Sequence, residues 1–475
     1  MDRNRLLTAL ISEFGHQPTE GQMQVMNHLT AFLLSKKPNP IYILKGFAGT
    51  GKTTLIGALV RLMEHTGQRF VLMAPTGRAA KVLSAYSGFS SYTINRKIYR
   101  RLIASDGRVS VQRLTNKHRN TVFIVDEASM IGETTTDQGV FGRQNLLDDL
   151  ISYVFEGVNC SLILIGDSAQ LPPVGVDESP ALDPGFIKAS YPVTAYMYEL
   201  KEVMRQSLES GILYQSTVIR LALDSSMPVS LPLFSPTKFP DVVNVGNDDI
   251  EDLLFQAFGN RDPDEAVVVC RSNRNANLYN QAIRSRILGC EEEINAGDLL
   301  MIVKNNYYWL EQVDQAAGFL ANGDIIRVNR INKIEEVYGF RFADAEVILI
   351  DDEQCPPLQV KMLLNTLLVN APSLGAEEFL KLSTAVEEDY LDIPERRKRL
   401  AFVRANPYYN ALQVKFSYAL TCHKTQGGQW PQVFVEAGIR SVDDVNHEYL
   451  RWLYTACTRA TKKLYLIGFP EQVTG

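Results

Sequence analysis

A lysine and a threonine at the end of a glycine-rich turn are the first residues in this chain placed to do chemistry. The run GFAGTGKTT, Gly46 to Thr54, matches the spacing G-x-x-x-x-G-K-[ST] at Gly46, Gly51, Lys52 and Thr53. It follows the apolar run Ile41 to Leu44 and precedes a helical stretch, Leu55 to Glu64. In that setting the backbone N–H groups of the turn, among them Ala48, Gly49, Thr50, Gly51 and Thr54, wrap phosphates. Lys52 then reaches the terminal phosphates, and the Thr53 hydroxyl sits on a magnesium ion. A chance glycine turn would lack the flanking strand and helix.

VDEAS supplies a second group, Asp126 and Glu127, directly after the apolar run Val122 to Val125. An aspartate there holds Mg²⁺ through its water shell, and the glutamate orients or deprotonates an attacking water. Alone, such a pair reads equally well as a solvated strand end. Downstream of a phosphate cradle it reads as the second half of an ATPase core.

The elements that must carry these groups are visible as IYILKG, FVLMAP, TVFIVDEAS and SLILIGDSAQLPPV. Continuous apolar runs ending in polar or glycine-rich residues predict buried parallel strands with sites at their carboxyl ends, an α/β class. A second α/β pattern begins near Leu200, continues through AVVVCRSNRNANLYNQAIR and resumes at VKFSYALTCHKTQ and KKLYLIGF. Between Ile294 and Pro407 the texture changes to β-rich pieces with turn glycines, plus a charged helical stretch, EEDYLDIPERRKRLAFV. The segment from Tyr86 to Asn120 predicts a small hairpin turning at Asp106 and Gly107. It carries Lys97, Arg100, Arg101, Arg108, Arg113, Lys117 and Arg119. That density reads either as a footprint on nucleic acid or as a solvated basic hairpin, and Phe89, Tyr92 and Tyr99 are its candidate stacking faces.

At 475 residues the chain exceeds one ordinary core. With 45% hydrophobic and 21% charged residues it has the balance of a globular protein that folds throughout. Lys+Arg 48 against Asp+Glu 54 gives −6, so bulk charge cannot hold nucleic acid and any contact is a local track. The six cysteines have no CxxC spacing or zinc-type cluster and read as reduced thiols. No segment approaches a membrane span and the first residues lack a signal-type apolar stretch, so the expected place is the cytoplasm.

Six stretches then form a pattern: APTGRAAKVL, DEAS, GDSAQLPPV, LKEVMRQ, YALTCHKTQGGQW and LYTACTRATKKLYLI. Their order and spacing resemble superfamily 1 helicases. They are similar to the class that moves 5′ to 3′, which includes the RecD-like exonuclease V alpha subunit and the phage Dda-like enzymes. The resemblance runs from Gln22 to Ile467. It implies two RecA-like P-loop lobes with parallel sheets, a small hairpin insertion in the first and a small β-rich insertion in the second. The boundaries expected are 1–85 and 121–200 for the first lobe, 86–120 for the hairpin, 201–293 and 412–475 for the second lobe, and 294–411 for its insertion.

The same resemblance implies an ATP-dependent 5′→3′ single-stranded DNA translocase and helicase, with ATP and Mg²⁺ bound between the lobes. Gln22 would meet the adenine edge, Gln170 would sense the terminal phosphate, and Gln426 and Gly427 would join the nucleotide site. Arg205 and Arg459 would act as arginine fingers from the second lobe. Pro75, Thr76, Gly77, Thr93, Asn95, Thr421, His423 and Lys424 would line the strand, contacting phosphates without reading bases. Asn95 stands where the family often has histidine, so its part is left open.

Implied partners are single-stranded and fork DNA and replication or recombination proteins, with no membrane, the chain acting as a monomer on DNA in a bacterial or phage-type, nucleoid-associated setting. Two other readings compete: a motor subunit of a nuclease or recombination complex, and a nucleotide-switched binding module. Intact Lys52, Asp126, Glu127, Gln170, Arg205 and Arg459 argue against the second. Phosphate-tracking loops do not report the 2′-hydroxyl, so an RNA-directed helicase stays open from the residues alone.

Overall fold

Strand Pro40–Gly46 lies inside a six-stranded parallel sheet. The order is Ser91–Thr93, Arg69–Ala74, Thr121–Val125, Ser161–Gly166, Pro40–Gly46, Thr194–Leu200. Its side chains alternate between two cores. Ile41 and Ile43 pack with Phe123, Val125 and Leu164 on one face, and Tyr42 and Leu44 with Leu55, Leu59 and Ile163 on the other. Burial of both faces is why these strands read as unbroken apolar runs. The computed structural model describes residues 2–103, 109–132, 145–203, 210–224, 231, 238–246, 248–310, 319–352, 355–439 and 441–470.

The edge strand Ser91–Thr93 and helix Ile94–Ile98 precede an antiparallel hairpin, Tyr99–Ile103 with Val109–Arg113. The segment 86–120, expected as hairpin throughout, therefore includes the end of helix Gly77–Ser87 and a strand of the main sheet before the hairpin starts. Three residues, two of them polar, give no apolar run to announce it. The hairpin turn at Asp106 and Gly107, with Arg108, lies outside the described residues, as does Arg205.

A second parallel sheet follows the order Ala419–Thr421, Ala266–Cys270, Trp430–Glu436, Ala460–Ile467, Val242–Val245. Inserted into it is a closed barrel of Leu299–Ile302, Ile325–Val337, Phe340–Leu349, Leu358–Leu363 and Leu412–Phe416. The last strand, expected from sequence in the second lobe, pairs with Leu299–Ile302 and Leu358–Leu363 and closes the barrel. Only Ser417 and Tyr418 separate it from the next sheet strand, so one hydrophobic run spans a change of sheet.

Barrel and second sheet share a core in which Leu300, Ile302, Ile326, Val328 and Val414 meet Val268, Cys270 and Phe434. Helices Ala376–Glu388 and Arg396–Ala405 pair over Phe342 through Leu382, Val386 and Val403. All six cysteines are free, five of them buried. Among the described residues no helix is long and apolar enough to cross a membrane.

Candidate active site between the lobes

The cradle is the turn between strand Pro40–Gly46 and helix Lys52–Thr66. Gly49 and Gly51 have φ of +76° and +81°, a conformation that costs L-residues with side chains. The Thr50 hydroxyl donates to the Phe47 carbonyl at 2.8 Å. Lys52 Nζ donates to the carbonyls of Gly46 at 2.5 Å and Phe47 at 2.9 Å. Neutral carbonyls are weaker partners for an ammonium than phosphate oxygens. Thr53 and Thr54 are exposed on the first helical turn.

Gln22, expected at the adenine edge, lies against the cradle. It is fully buried, its amide oxygen accepts from the Thr19 N–H at 3.0 Å, and its amide nitrogen donates to the Thr50 carbonyl at 3.0 Å. The capping box and the cradle thus each hold one end of the amide, and Gln22 braces the turn.

Asp126 and Glu127 follow strand Thr121–Val125. The Asp126 carboxylate accepts from the Tyr86 hydroxyl at 2.6 Å and the Glu127 N–H at 2.9 Å. Burial first, then Asp126, raises the Tyr86 pKa well above the ordinary range, which keeps this group a donor. Glu127 sits in the left-handed region, φ +53° and ψ 36°, a strain of about 1 to 3 kcal/mol typical of functional positions. Burial raises its pKa to about 7 against the opposing pull of Arg459, with Asp126 raising it, Lys52 lowering it and Asp167 raising it. One carboxyl thus feels the cradle lysine, both strand-end acids and the second lobe's arginine.

The second lobe reaches this point through helix His447–Cys457 and the turn after it. Arg459, 3% exposed, donates from Nε to the Thr455 carbonyl at 3.0 Å and from Nη1 to the Gly428 carbonyl at 3.2 Å. Its Nη1 is 3.9 Å from Glu127 Oε1. Gln170 is buried on the first lobe's facing turn, and its Oε1 has no hydrogen-bond partner among the described residues.

Gln426 and Gly427, expected at the nucleotide, meet the first lobe across the seam. Gln426 Nε2 donates to the Leu171 carbonyl at 2.7 Å. Gly427, φ +73°, abuts helix Gly77–Ser87, where a Cβ would stand 2.6 Å from Ala79 Cβ and 3.4 Å from Thr76 Oγ1.

The strand-contacting candidates gather at helix starts. Thr76 and Thr93 are N-caps whose hydroxyl oxygens accept from the N–H groups of Ala79 and Arg96, both at 3.2 Å. Each keeps its own hydroxyl proton to give. Pro75 and Gly77 flank Thr76, and Asn95 is half-buried in helix Ile94–Ile98. Gly77, Tyr92, Thr93 and Arg96 line, with Asp324 and Asp352 of the barrel, a cavity of about 300 Å³, and Arg96 closes one side of it by pairing with Asp352 at 2.5 Å.

Thr421 caps the short helix Cys422–Thr425, which carries exposed His423 and half-buried Lys424. Although His423 is exposed at the surface, the protein atoms around it desolvate the ring and hold it below its ordinary pKa, against the opposing pull of Glu448. Burial first and Lys415 second push Lys424 down to about 8, and burial pushes Lys415 down to about 8. Among the described residues neither ammonium has a carboxylate within 4 Å, so this floor is short of negative charge.

Of the aromatic candidates, Phe89 packs on Phe70, and Tyr99 is buried with its hydroxyl on Asp149 at 2.7 Å. Tyr92 is 41% exposed beside the cavity, with Lys97 over its ring. The hairpin's charge is partly spent at home, since Arg113 pairs with Glu156 at 2.8 Å.

Comparison with known proteins agrees with this geometry. A family described as AAA domain matches residues 17–220, and one described as UvrD-like helicase C-terminal domain matches residues 416–467. The ATP-dependent DNA helicase dda of Enterobacteria phage T4 is 26% identical over 341 residues, 69% of this chain and 70% of that protein. The sequence is thus similar to superfamily 1 helicases in both lobes. An uncharacterized protein of Acanthamoeba polyphaga mimivirus is 23% identical over 506 residues, 93% of this chain and 98% of its own. The Pif1 helicase from Bacteroides in complex with ADP-AlF3 and ssDNA aligns over 97% of this chain and 95% of that one, at 16% identity and a TM-score of 0.44.

Four residues of this site escaped the sequence reading. Tyr86 looks like one more apolar position on a helix, and nothing local ties it to Asp126. Tyr454 and Thr455 lie inside LYTACTRATKKLYLI, next to the arginine that drew attention, but their partners are 284 or more residues away. Asp167 was within reach: it follows an apolar run in GDSAQLPPV as Asp126 does in VDEAS.

Proposed function

We propose that the chain is an ATP-dependent 5′→3′ DNA helicase that hydrolyses ATP between its two lobes while moving along single-stranded DNA. The observation that carries this reading is Glu127 of the first lobe 3.9 Å from Arg459 of the second, at the carboxyl end of strand Thr121–Val125. Such a site is complete only when the lobes are together, which ties turnover to domain closure. Both halves come from one polypeptide, which supports a single chain as the working unit.

The residues present fit ATP and magnesium. Buried Gln170 Oε1 and Ser129 Oγ have no partner among the described residues and want one. The cradle from Gly46 to Thr54 would hold the phosphates, and Thr53 and Asp126 the magnesium ion. ATP, when bound, supplies the phosphoryl group whose transfer drives the motor. Glu127, with its pKa near neutrality, takes the proton of the attacking water. Arg459, held by backbone carbonyls, meets charge developing on the far side of the cleft. On the strand, Thr76 and Thr93 donate their hydroxyl protons to phosphates, Lys424 adds charge, and Tyr92 offers a ring to a base.

The test is ATP turnover with single-stranded DNA, single-stranded RNA and duplex, followed by unwinding of tailed duplexes. Single-stranded DNA should stimulate most, and duplexes with a 5′ tail should open while those with only a 3′ tail stay closed. Stimulation by RNA alone, or the opposite tail preference, would overturn the substrate or the direction respectively.

A further inference from the structure

Tyr454 is 1% exposed, comes from the second lobe, and has its hydroxyl inside the first lobe's phosphate cradle. The Ala48 N–H donates to that hydroxyl at 2.8 Å, and the hydroxyl donates to Asp167 Oδ2 at 2.7 Å. A phenol has one proton, so the polarity of this pair is fixed: amide to phenol, phenol to carboxylate. The other Asp167 oxygen accepts from the Ala169 N–H at 2.9 Å and shapes the turn that presents Gln170. Thr455, the next residue, seals the end of the same turn by accepting from the Leu171 N–H at 2.9 Å. Two consecutive side chains of one helix thus grip the cradle and the Gln170 turn of the opposite lobe, five positions before Arg459.

The Ala48 amide has one proton. It cannot serve a phosphate oxygen and the Tyr454 hydroxyl at once. When the amide turns to a phosphate, the phenol loses its donor and its own proton becomes the nearest one able to follow. Asp167 would then give up a partner in a buried place where an unpaired carboxylate oxygen is costly.

We propose that Tyr454 is a positioning residue that competes with nucleotide phosphate for the Ala48 amide and passes the outcome through Asp167 to the Gln170 turn. This rests on the reading of the cradle as the ATP site. It gives the second lobe a way to register phosphate that is separate from Arg459, because the contact is to the cradle backbone and not to the reacting group.

The experiment compares the parent chain with Tyr454→Phe, which keeps the ring and removes the hydroxyl, and Thr455→Val, which breaks the neighbouring bond to Leu171. Amide hydrogen exchange over residues 46–52 without nucleotide should quicken in Tyr454→Phe. Equilibrium binding of ADP should tighten, by roughly three- to tenfold, because the competitor is gone, while stimulation of turnover by single-stranded DNA falls tenfold or more. Thr455→Val, which breaks a bond to the Gln170 turn and none to the cradle, should not tighten ADP binding. A purely structural role predicts the opposite split, with ADP binding weakened together with turnover in Tyr454→Phe. That result, or unchanged exchange and affinity, overturns the proposal while leaving the ATP site standing. A parent chain that binds no ADP overturns both.

Discussion

Arg459 is anchored on backbone carbonyls and only loosely near Glu127, so removing it leaves every cradle contact to phosphate in place. Arg459→Ala should therefore bind ATP almost as the parent does. Its turnover on saturating single-stranded DNA should fall by roughly 10³ to 10⁵, about 4 to 7 kcal/mol of transition-state stabilisation. Steady-state turnover beside equilibrium nucleotide binding checks both halves. Lys424 makes a pH prediction. With its folded pKa near 8 it is charged below that value and loses charge above it, and Lys415 titrates beside it. Affinity for single-stranded DNA should stay level from pH 6 to 7.5 and weaken as pH rises through 8. Fluorescence anisotropy with a labelled oligonucleotide at fixed salt measures it, and in Lys424→Met most of that decline should vanish.

At the scale of elements, the cradle and the strand-end acids were legible because each motif joins a local backbone shape to a chemical group. Lys52 and Asp126 needed no distant partner to be recognised. Gln22 and Gln426 carry amides of the right type, but whether an amide meets a base or a backbone carbonyl is set by residues far along the chain. The buried central strands announced themselves as continuous runs, whereas the polar edge strand Ser91–Thr93 and the last barrel strand did not, since neither has a pattern of its own. Where helix Gly77–Ser87 meets the turn at Gly427, the contact leaves no room for a side chain. Gly427→Val should hold the lobes apart there. It should weaken single-stranded DNA binding and lower DNA-stimulated turnover by tenfold or more, while ADP affinity stays within about twofold because the clash is with helix Gly77–Ser87 and not with the cradle itself. Loss of ADP binding in parallel would mean that the seam and the cradle are not separable.

The whole molecule is two parallel sheets facing each other across the nucleotide cleft, with a barrel on one of them. Where the first lobe meets the second lobe's core, it does so through the loop residues Phe47, Ala169 and Leu171 among the described buried residues. The barrel, in contrast, has its interior continuous with that of the second sheet. An insertion that shares its interior with its host cannot melt by itself, because opening either one exposes the other's apolar lining to water. Calorimetry should then resolve two cooperative transitions and not three. Leu300→Ala, at a cost of about 2 to 5 kcal/mol, should lower the same transition that a substitution at Val268 lowers and leave the first lobe's where it was. A barrel so fused to its lobe moves with it as one body, and any displacement of the second sheet reaches the far side of the barrel undiminished.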